Sequence, residues 1–270
     1  MLTKINETAT FLAGKMQYLP KVGIILGTGL GELATQITER QEIPYQDIPN
    51  FPVSTVEGHS GKLIIGKLGT TQVLAMQGRF HYYEGYSMKE VTFPVRVMKA
   101  LGVETLLVSN AAGGMNPDFE IGDLMIISDH INTFPEHPLR GKNEPSLGTR
   151  FPDMSQAYPA SLRDMAKAIA AKHGIKVVEG VYVGTSGPTF ETPAEYYYFR
   201  MIGGDAVGMS TVPEVIVAVH AGIRVFAMSI ITDLGVAGKV VEVSHEEVQQ
   251  IANQAQPKMT LIMKELIAQL

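Results

Sequence analysis

The sequence predicts an α/β protein: a single domain with a mixed, largely parallel twisted sheet flanked by helices. Short apolar runs, typical of buried strands, alternate with stretches in which apolar residues recur at helical spacing. That alternation favours parallel strands with helices on the faces of the sheet. No repeat, low-complexity segment or linker interrupts the 270 residues, so we expect one domain over residues 1–270.

The first half of the chain predicts two helices separated by strands. The helical spacing of Ile5 and Leu12 predicts an N-terminal helix, and a capping box of Ser87 and Glu90 begins the second. A hairpin is expected to turn near Gly69. The predicted order is a helix over 3–17, a strand over 21–26, a hairpin over 61–78, a helix over 87–102 and a strand over 104–110.

The second half continues the alternation around one long loop. Thr192 and Ser244 are predicted N-caps, each with a glutamate three residues later, and Pro193 suits a first helical position. Residues 132–158 form a Pro- and Gly-rich loop, typical of a lid or an interface segment. The other predicted elements are strands over 122–131, 176–187, 205–210 and 223–232, and helices over 159–174, 192–204, 212–222 and from 244.

Composition narrows the class of protein. The formal net charge is −5, so the chain lacks the basic footprint of a nucleic-acid-binding protein, and an anionic substrate needs local donors. Cysteine is absent, which excludes disulfides, thiolate nucleophiles and cysteine metal sites and fits a reducing compartment. No apolar run reaches the roughly 18 residues that span a bilayer, and the N-terminus has no signal-peptide apolar block. We therefore expect a cytoplasmic protein that binds neither nucleic acid nor membrane.

Small and polar residues follow almost every predicted strand. These strand ends are GTGLG, QGRFHYYE, SNAAGG, GTSGPTFE, GMST and SIITD. In sheets with parallel strands, ligands bind at the carboxyl ends of the strands. The sequence therefore predicts a small-molecule site assembled from these segments.

The glycine turn GTGLG invites a dinucleotide-binding interpretation. That fingerprint needs glycines at its first, third and sixth positions, which here are Gly27, Gly29 and Glu32. A carboxylate at the sixth position would lie beside the pyrophosphate, so an NAD site is disfavoured. An anion nest with the Thr28 hydroxyl as an added donor is the better interpretation, and a plain strand-to-helix turn stays open.

The stretch RFHYYE places several charged and hydrogen-bonding side chains directly after an apolar strand. Arg79 and His81 supply a fork and a second donor suited to phosphate. In an extended segment these two residues and Tyr83 project to one side, where the tyrosine meets a sugar. Glu84 is placed to orient a neighbour. The alternative is a solvated turn with a salt bridge.

The segments that follow the later strands match a purine. Phe190 offers a ring for stacking, and Glu191 offers an acceptor for a purine N1–H. Asp233 ends its strand, where it can serve a ring nitrogen as acceptor or proton donor. The alternatives are a core phenylalanine beside a surface glutamate, and an aspartate that caps a turn.

Four further positions are candidates with plain structural alternatives. Residues 111–114 are small and allow a ligand to approach the backbone, or they form a tight strand-to-helix turn. Ser210 offers a hydroxyl before a helix. His245 is either a site residue or a member of a capping box, and His59 is either a site residue or a loop histidine.

Taken together, the motifs resemble the trimeric purine nucleoside phosphorylases, a family that includes the methylthioadenosine phosphorylases. The resemblance runs nearly end to end through ILGTGLG, GHSGKL, MQGRFHYYEGY, SNAAGG, RFPDMSQAY, GPTFET, DAVGMSTVPEVIVA, SIITD and SHEEV. It implies a nucleoside phosphorylase-like fold. Single motifs are weak, but the ordered set of nine is specific.

The resemblance also implies roles for individual residues. The implied phosphate-binding residues are Thr28, His59, Arg79, His81, Ala111 and Ser210; the ribose contacts are Tyr83, Met209 and His245; the base pocket is Phe190, Glu191, Val207 and Asp233. Asp233, His81 and Glu84 are the implied catalytic residues. Phe151 resembles a phenylalanine that reaches into a neighbouring subunit's site, which implies a homotrimer; its alternative is a loop aromatic that anchors the lid.

One position departs from the family pattern. Members specific for 6-oxopurines carry asparagine where this chain has Asp233. An ionised carboxylate only accepts hydrogen bonds, so it repels O6 and favours a 6-amino group, whereas Glu191 favours the N1–H of 6-oxopurines. His245 favours a 5′-hydroxyl over a methylthio group. Inosine and guanosine are the expected substrates, with adenosine and xanthosine left open.

The expected reaction is reversible phosphorolysis of purine ribonucleosides or 2′-deoxyribonucleosides to the free base and the sugar 1-phosphate. Inorganic phosphate is a co-substrate, and no metal or organic cofactor is expected. The competing functions are a phosphate-independent nucleoside hydrolase, a methylthioadenosine phosphorylase and, far behind, a dinucleotide-dependent oxidoreductase.

Overall fold

The computed structural model describes residues 1–27, 31–53 and 61–270, and eight helices and nine strands lie within those ranges. The helices are α1 (Leu2–Ala13), α2 (Glu32–Thr35), α3 (Met88–Val91), α4 (Phe93–Ala100), α5 (Ala160–Lys172), α6 (Pro193–Met201), α7 (Val212–His220) and α8 (His245–Ile267). The strands are β1 (Val22–Leu26), β2 (Thr38–Pro44), β3 (Lys62–Leu68), β4 (Thr71–Gln77), β5 (Thr105–Gly114), β6 (Leu124–Asn132), β7 (Val177–Gly184), β8 (Ala206–Gly208) and β9 (Arg224–Leu234). Short 3-10 turns cover Tyr45–Asp47, Tyr82–Glu84 and Pro145–Leu147.

One mixed sheet joins all these strands in the order β2-β3-β4-β1-β5-β8-β7-β6-β9. Parallel pairs join β1 to β4 and β5, β5 to β9, and β7 to β6 and β8. The pairs β2–β3, β3–β4, β5–β8 and β6–β9 are antiparallel. Because β9 also pairs with β5, the strands from β5 to β9 close on themselves. The predicted fold class is confirmed.

The sheet has an apolar core on each face. Neighbouring residues of β1 point to opposite sides, so Ile25 packs into one core with α1, α4 and α7, while Ile24 packs into the other with α2, α5 and α8. This double burial explains why the central strands appear as continuous apolar runs in the sequence. Within the described residues, no helix combines the length and apolarity needed to cross a bilayer.

Local signals predicted most boundaries well. The capping boxes at Ser87, Thr192 and Ser244 are formed, and the hairpin between β3 and β4 turns at Gly69, which has φ 61°. The expected helix over 87–102 is two helices that meet at Thr92. Pro94, in the first turn of α4, explains the break because it lacks an N–H and clashes with the preceding turn.

Two predictions about strands were wrong or incomplete. Strand β2 was missed because six of its seven residues are exposed and mostly polar, as suits an edge strand. Residues 111–114 are not a strand-to-helix turn: β5 continues through Gly114 and pairs there with β8 and β9. Neighbouring backbone partners thus override a composition that favours a turn.

Leu107→Ala should lower the free energy of unfolding by about 2–5 kcal/mol, because Leu107 is fully buried in β5 between β1 and β9. Val241→Ala is the control: its side chain is 69% exposed, so the change should stay within about 0.5 kcal/mol. Guanidinium unfolding of both variants measures the difference. Equal midpoints would contradict the assigned core.

Candidate active site

The carboxyl ends of several strands surround an open cavity. Its walls come from the ends of β5, β8 and β9, from the segment after β4, from the loop before α6, and from the starts of α6 and α8. This is the edge of the sheet at which the sequence predicted a ligand site.

Arg79 lies at one end of the cavity and is only 1% exposed. Its guanidinium forms a bidentate ion pair with Glu214: Nε is 3.1 Å from Oε1, and Nη2 is 2.8 Å from Oε2. Nη1 donates to the carbonyl of Ser109 at 2.8 Å. The turn after β4 therefore contains a salt bridge, and that salt bridge is buried. Hydrogen bonds to Glu214 and to the Ser109 carbonyl fix the orientation of the guanidinium group.

The backbone just before α7 adopts a rare conformation. Thr211 has φ 69° and ψ −55°, and the N–H of Val212 donates to the carbonyl of Ser210 at 2.7 Å, which together define a strained γ-turn. Two side chains stabilise it: Glu214 Oε2 accepts from the Thr211 N–H at 2.9 Å, and Asn110 Nδ2 donates to the Thr211 hydroxyl at 2.9 Å. The turn places Ser210 on the cavity wall.

His81 and Tyr83 form a continuous aromatic face beside Arg79. Their rings stack with centroids 4.7 Å apart and an interplanar angle of 14°. The segment is not extended as expected, because Tyr82–Glu84 is a 3-10 turn that ends at Gly85 with φ 94°. Arg79, His81 and Tyr83 nevertheless all line the cavity.

Glu84 supports His81 from behind. His81 Nδ1 lies 3.0 Å from Glu84 Oε1, and the same oxygen accepts from the His81 backbone N–H at 2.8 Å. A carboxylate only accepts, so Nδ1 carries the proton. Burial lowers the pKa of His81, with the Glu84 bond opposing it. The ring is therefore neutral at pH 7, and its Nε2 is an acceptor.

Asp233 lies at the end of β9 and lines the cavity beside Gly113, whereas Arg79 bonds to Ser109, which comes earlier on β5, so the two side chains define opposite ends of the cavity. Its Oδ2 accepts from the Tyr196 hydroxyl at 3.0 Å, and its Oδ1 accepts from the Thr232 hydroxyl at 3.0 Å. Gly113 makes room for the carboxyl group, since a Cβ there would lie 2.9 Å from Oδ2. Burial raises the pKa of Asp233, and the two hydroxyl bonds oppose that rise.

Phe190 and Glu191 come from the loop before α6. Phe190 is 43% exposed and lines the cavity, so one face of a planar ligand can stack on it. Burial raises the pKa of Glu191 to about 7, with added contributions from the carboxyl groups of Asp233 and Glu195. Near neutral pH this carboxyl group exists in both protonation states.

Met209 and His245 also line the cavity, and His245 opens α8 after its cap Ser244. His245 is exposed, with Nε2 3.0 Å from Gln249 Nε2. Met209 packs closely under the preceding loop, because a Cβ on Gly187 would lie 2.4 Å from its sulfur.

Most of the predicted site residues meet in this one cavity. Those that line it are Arg79, His81, Tyr83, Ala111, Phe190, Glu191, Val207, Met209, Ser210, Asp233 and His245. Glu84 contacts His81, which lines the cavity. Thr28 and His59 lie outside the described residues. Phe151 is elsewhere: it is 84% exposed and lines a second cavity with His130 and Arg150.

Five residues that organise the site were missed by sequence reasoning. They are Asn110, Tyr196, Thr211, Glu214 and Thr232. Glu214 was hidden inside an otherwise apolar helix, where a buried charge is itself a signal that a partner exists. Tyr196 was hidden among three consecutive tyrosines. In the described ranges, no group of three or more His, Asp or Glu side chains is arranged to hold a metal ion.

Comparison with known proteins shows the family to which the chain belongs. The profile of the phosphorylase superfamily matches residues 21–268. Purine nucleoside phosphorylase 1 of Geobacillus stearothermophilus is 55% identical over 98% of this chain and 97% of its own length, and that of Bacillus subtilis is 52% identical over 100% and 99%. The crystal structure of Schistosoma mansoni purine nucleoside phosphorylase in complex with adenosine has a TM-score of 0.94 and 44% identity, and covers 98% of this chain and 96% of that chain.

A second solved structure, isoform 2 of the Schistosoma mansoni enzyme in complex with cytosine and ribose-1-phosphate, superposes with a TM-score of 0.95 at 43% identity, over 99% of this chain and 96% of that chain. Identities of this size over whole chains establish membership as well as fold. The chain belongs to the phosphorylase superfamily and, within it, to the purine nucleoside phosphorylases.

Glu214→Ala should lower the free energy of unfolding by about 3–5 kcal/mol, because it removes one partner of a buried ion pair. Glu104→Ala is the matched control: Glu104 pairs with Lys21 on the surface, where both side chains are more than half exposed. Its loss should cost less than about 1 kcal/mol. Chemical unfolding compares the two, and similar losses would contradict a structural role for the buried pair.

Proposed function

We propose that the cavity carries out phosphorolysis of purine nucleosides, yielding the free base and ribose 1-phosphate. One observation supports this above the others: a single cavity is lined by the Arg79 guanidinium, by the carboxyl groups of Glu191 and Asp233, and by His245. A phosphate suits the guanidinium, a base rich in N–H groups suits the carboxyl groups, and a sugar hydroxyl suits the histidine.

The chemistry assigns a task to each end. Breaking the glycosidic bond builds positive charge on the ribose ring, as in glycoside hydrolysis. A phosphate held at the Arg79 end stabilises that charge and attacks C1′. The leaving purine gains negative charge, which a hydrogen bond or proton at N7 disperses. Asp233 is proposed to contact the six-position of that base.

Phosphate binding is proposed for Arg79, Ser210, the Ala111 backbone and His81. His81 is neutral with its proton on Nδ1, so its Nε2 would accept from the hydroxyl of a monoprotonated phosphate. Glu84 fixes that tautomer. Thr28 and His59 are proposed for the same end from sequence alone.

Inosine and guanosine are the proposed main substrates, because Glu191 in its ionised form accepts from N1–H. His245 at the start of α8 is the proposed 5′-hydroxyl contact, which disfavours a methylthio group. The Schistosoma mansoni relatives were crystallised with inosine and with adenosine. Whether this protein also cleaves adenosine and xanthosine is proposed to depend on whether the Asp233 carboxyl group is protonated.

Purified protein with inosine should release hypoxanthine and ribose 1-phosphate when phosphate is present. In phosphate-free buffer the rate should fall by at least about a hundredfold, because a bound nucleophile next to C1′ is lost. Coupled detection of hypoxanthine with separate assays for ribose and ribose 1-phosphate measures this. Equal turnover without phosphate, giving free ribose, would establish a hydrolase instead.

An arm dialysed against EDTA tests the proposed independence from metals and should retain full activity.

A homotrimer is proposed because Phe151 lies on a long loop, 84% exposed and outside its own chain's site. An aromatic side chain this exposed is suited to enter a neighbouring subunit's cavity.

Localisation in the cytoplasm is proposed on the absence of cysteine, which fits a reducing compartment, and cell fractionation tests it.

Sedimentation should give a particle near three times 29.3 kDa. Phe151→Ala should lower kcat/KM for inosine by at least about tenfold, as expected for an aromatic anchor. Tyr197→Ala is the control, since Tyr197 is 67% exposed on α6 and outside the cavity wall; its effect should stay below about twofold. A fully active monomer would contradict the proposal.

A further inference from the structure

The base end of the cavity holds two carboxyl groups and a buried tyrosine. Tyr196 is 4% exposed, and its hydroxyl donates to Asp233 Oδ2 at 3.0 Å. Glu191 lies close enough to raise the pKa of Tyr196 together with Asp233 and burial, the last being the largest cause. A phenol hydroxyl has one proton to donate, and in this structure Asp233 receives it.

The two classes of purine require opposite arrangements of one proton on this carboxyl pair. A 6-oxopurine needs Glu191 ionised to accept from N1–H and Asp233 protonated to donate to O6. A 6-aminopurine needs Glu191 protonated to donate to N1 and Asp233 ionised to accept from the 6-amino group. Each productive arrangement carries a single proton on the pair, so changing the base moves the proton without changing its number.

We propose that Tyr196 is a specificity-determining residue that acts through Asp233: by donating to that carboxyl group, it holds Asp233 as an acceptor and so admits 6-aminopurine nucleosides beside 6-oxopurine nucleosides. The inference deepens the proposed phosphorolysis and rests on it. Tyr196 acts as a positioning residue, since its hydroxyl donates to Asp233 Oδ2 at 3.0 Å.

The surroundings of Asp233 support this division of roles. Thr232 donates to the second oxygen at 3.0 Å, so both carboxylate oxygens have a hydroxyl donor. A carboxylate with donors on both oxygens is favoured in its ionised form, which opposes the effect of burial. The Tyr196 hydroxyl also lies within hydrogen-bonding reach of Glu191, but burial outweighs that contact and raises the pKa of Glu191 to about 7.

The other titratable groups around the pair do not replace this donor. Glu195 at the start of α6 adds negative charge beside Glu191. His245 at the start of α8 lines the same cavity, and Arg79 with His81 lies at the phosphate end. The hydroxyl bonds from α6 and from Thr232 are therefore the local contacts that favour ionised Asp233.

Tyr196→Phe removes the hydroxyl and keeps the ring in place. The ring packs against the backbone of Gly235, where an added Cβ would lie 2.1 Å from a ring carbon, and it belongs to a small core with Val183, Phe199 and Val207. These contacts do not involve the hydroxyl. The variant therefore separates hydrogen bonding from packing.

The experiment measures kcat/KM for inosine and for adenosine at saturating phosphate from pH 5.5 to 8, in wild type, Tyr196→Phe and Tyr197→Phe. In wild type the two profiles should have the same shape, because both productive states carry one proton on a coupled pair. Tyr196→Phe should raise the inosine-to-adenosine ratio by at least about fivefold at every pH, as expected when a charged acceptor loses a donor. Tyr197→Phe should leave the ratio unchanged, because that side chain is 67% exposed on the same helix.

A double-mutant cycle tests the route through Asp233. Asp233→Asn should itself move the ratio toward inosine by at least about tenfold, since an amide donates to O6 without titrating. In that background Tyr196→Phe should change the ratio by less than about twofold. A full fivefold effect there would show that Tyr196 acts by another route and would overturn the inference.

The outcomes remain distinct from those of the proposed function. Wild type without phosphate-dependent cleavage of either nucleoside overturns the phosphorolysis itself. Normal phosphorolysis with an unchanged ratio in Tyr196→Phe, or an equal loss on both substrates, overturns only the role of Tyr196. Should Tyr196→Phe fail to fold, Thr232→Val removes the other donor to Asp233 and must shift the ratio in the same direction, and a ratio that stays constant there overturns the inference as well.

Discussion

The ion pair between Arg79 and Glu214 is the interaction on which the rest of the site depends. The chain is acidic overall, and the Arg79 guanidinium at one end of the cavity is almost fully buried. Burying a guanidinium is unfavourable without a well-matched partner, and Glu214 supplies a bidentate one. The same carboxylate accepts from the backbone of Thr211, so one side chain joins the segment after β4 to the start of α7 and stabilises the strained turn that positions Ser210.

The two ends of the cavity differ in the sign of their charged groups and in how those charges are balanced. At the Arg79 end a cation is neutralised by the Glu214 carboxylate behind it, and burial keeps His81 uncharged. At the other end burial raises the pKa of both Glu191 and Asp233. One end of the cavity therefore has its charge balanced within the protein, whereas the other has a carboxyl group, Glu191, that titrates near neutral pH.

Close approach of backbones brings these ends together. Strand β5 runs past its apolar half into small residues and pairs with both β8 and β9, which closes that part of the sheet. Gly113 is the partner of Asp233 in the parallel pairing of β5 with β9, and any side chain at position 113 would displace the carboxyl group. The small residues of this strand therefore leave room for the Asp233 carboxyl group in the cavity wall.

The sequence by itself determined the fold class, nearly every helix and buried strand, and the strand ends that supply the site. It did so because apolar periodicity, caps and turn residues act over a few neighbouring positions. Only the tertiary structure decided that Arg79 pairs with Glu214, that Tyr196 donates to Asp233, and that Thr211 is strained. These partners lie 135 and 37 residues apart for the two pairs, and a local pattern carries no record of which distant side chain arrives beside it. The edge strand β2 was not predicted for a related reason. It forms because β3 provides a pairing partner, whereas its own exposed, mostly polar residues give no apolar pattern.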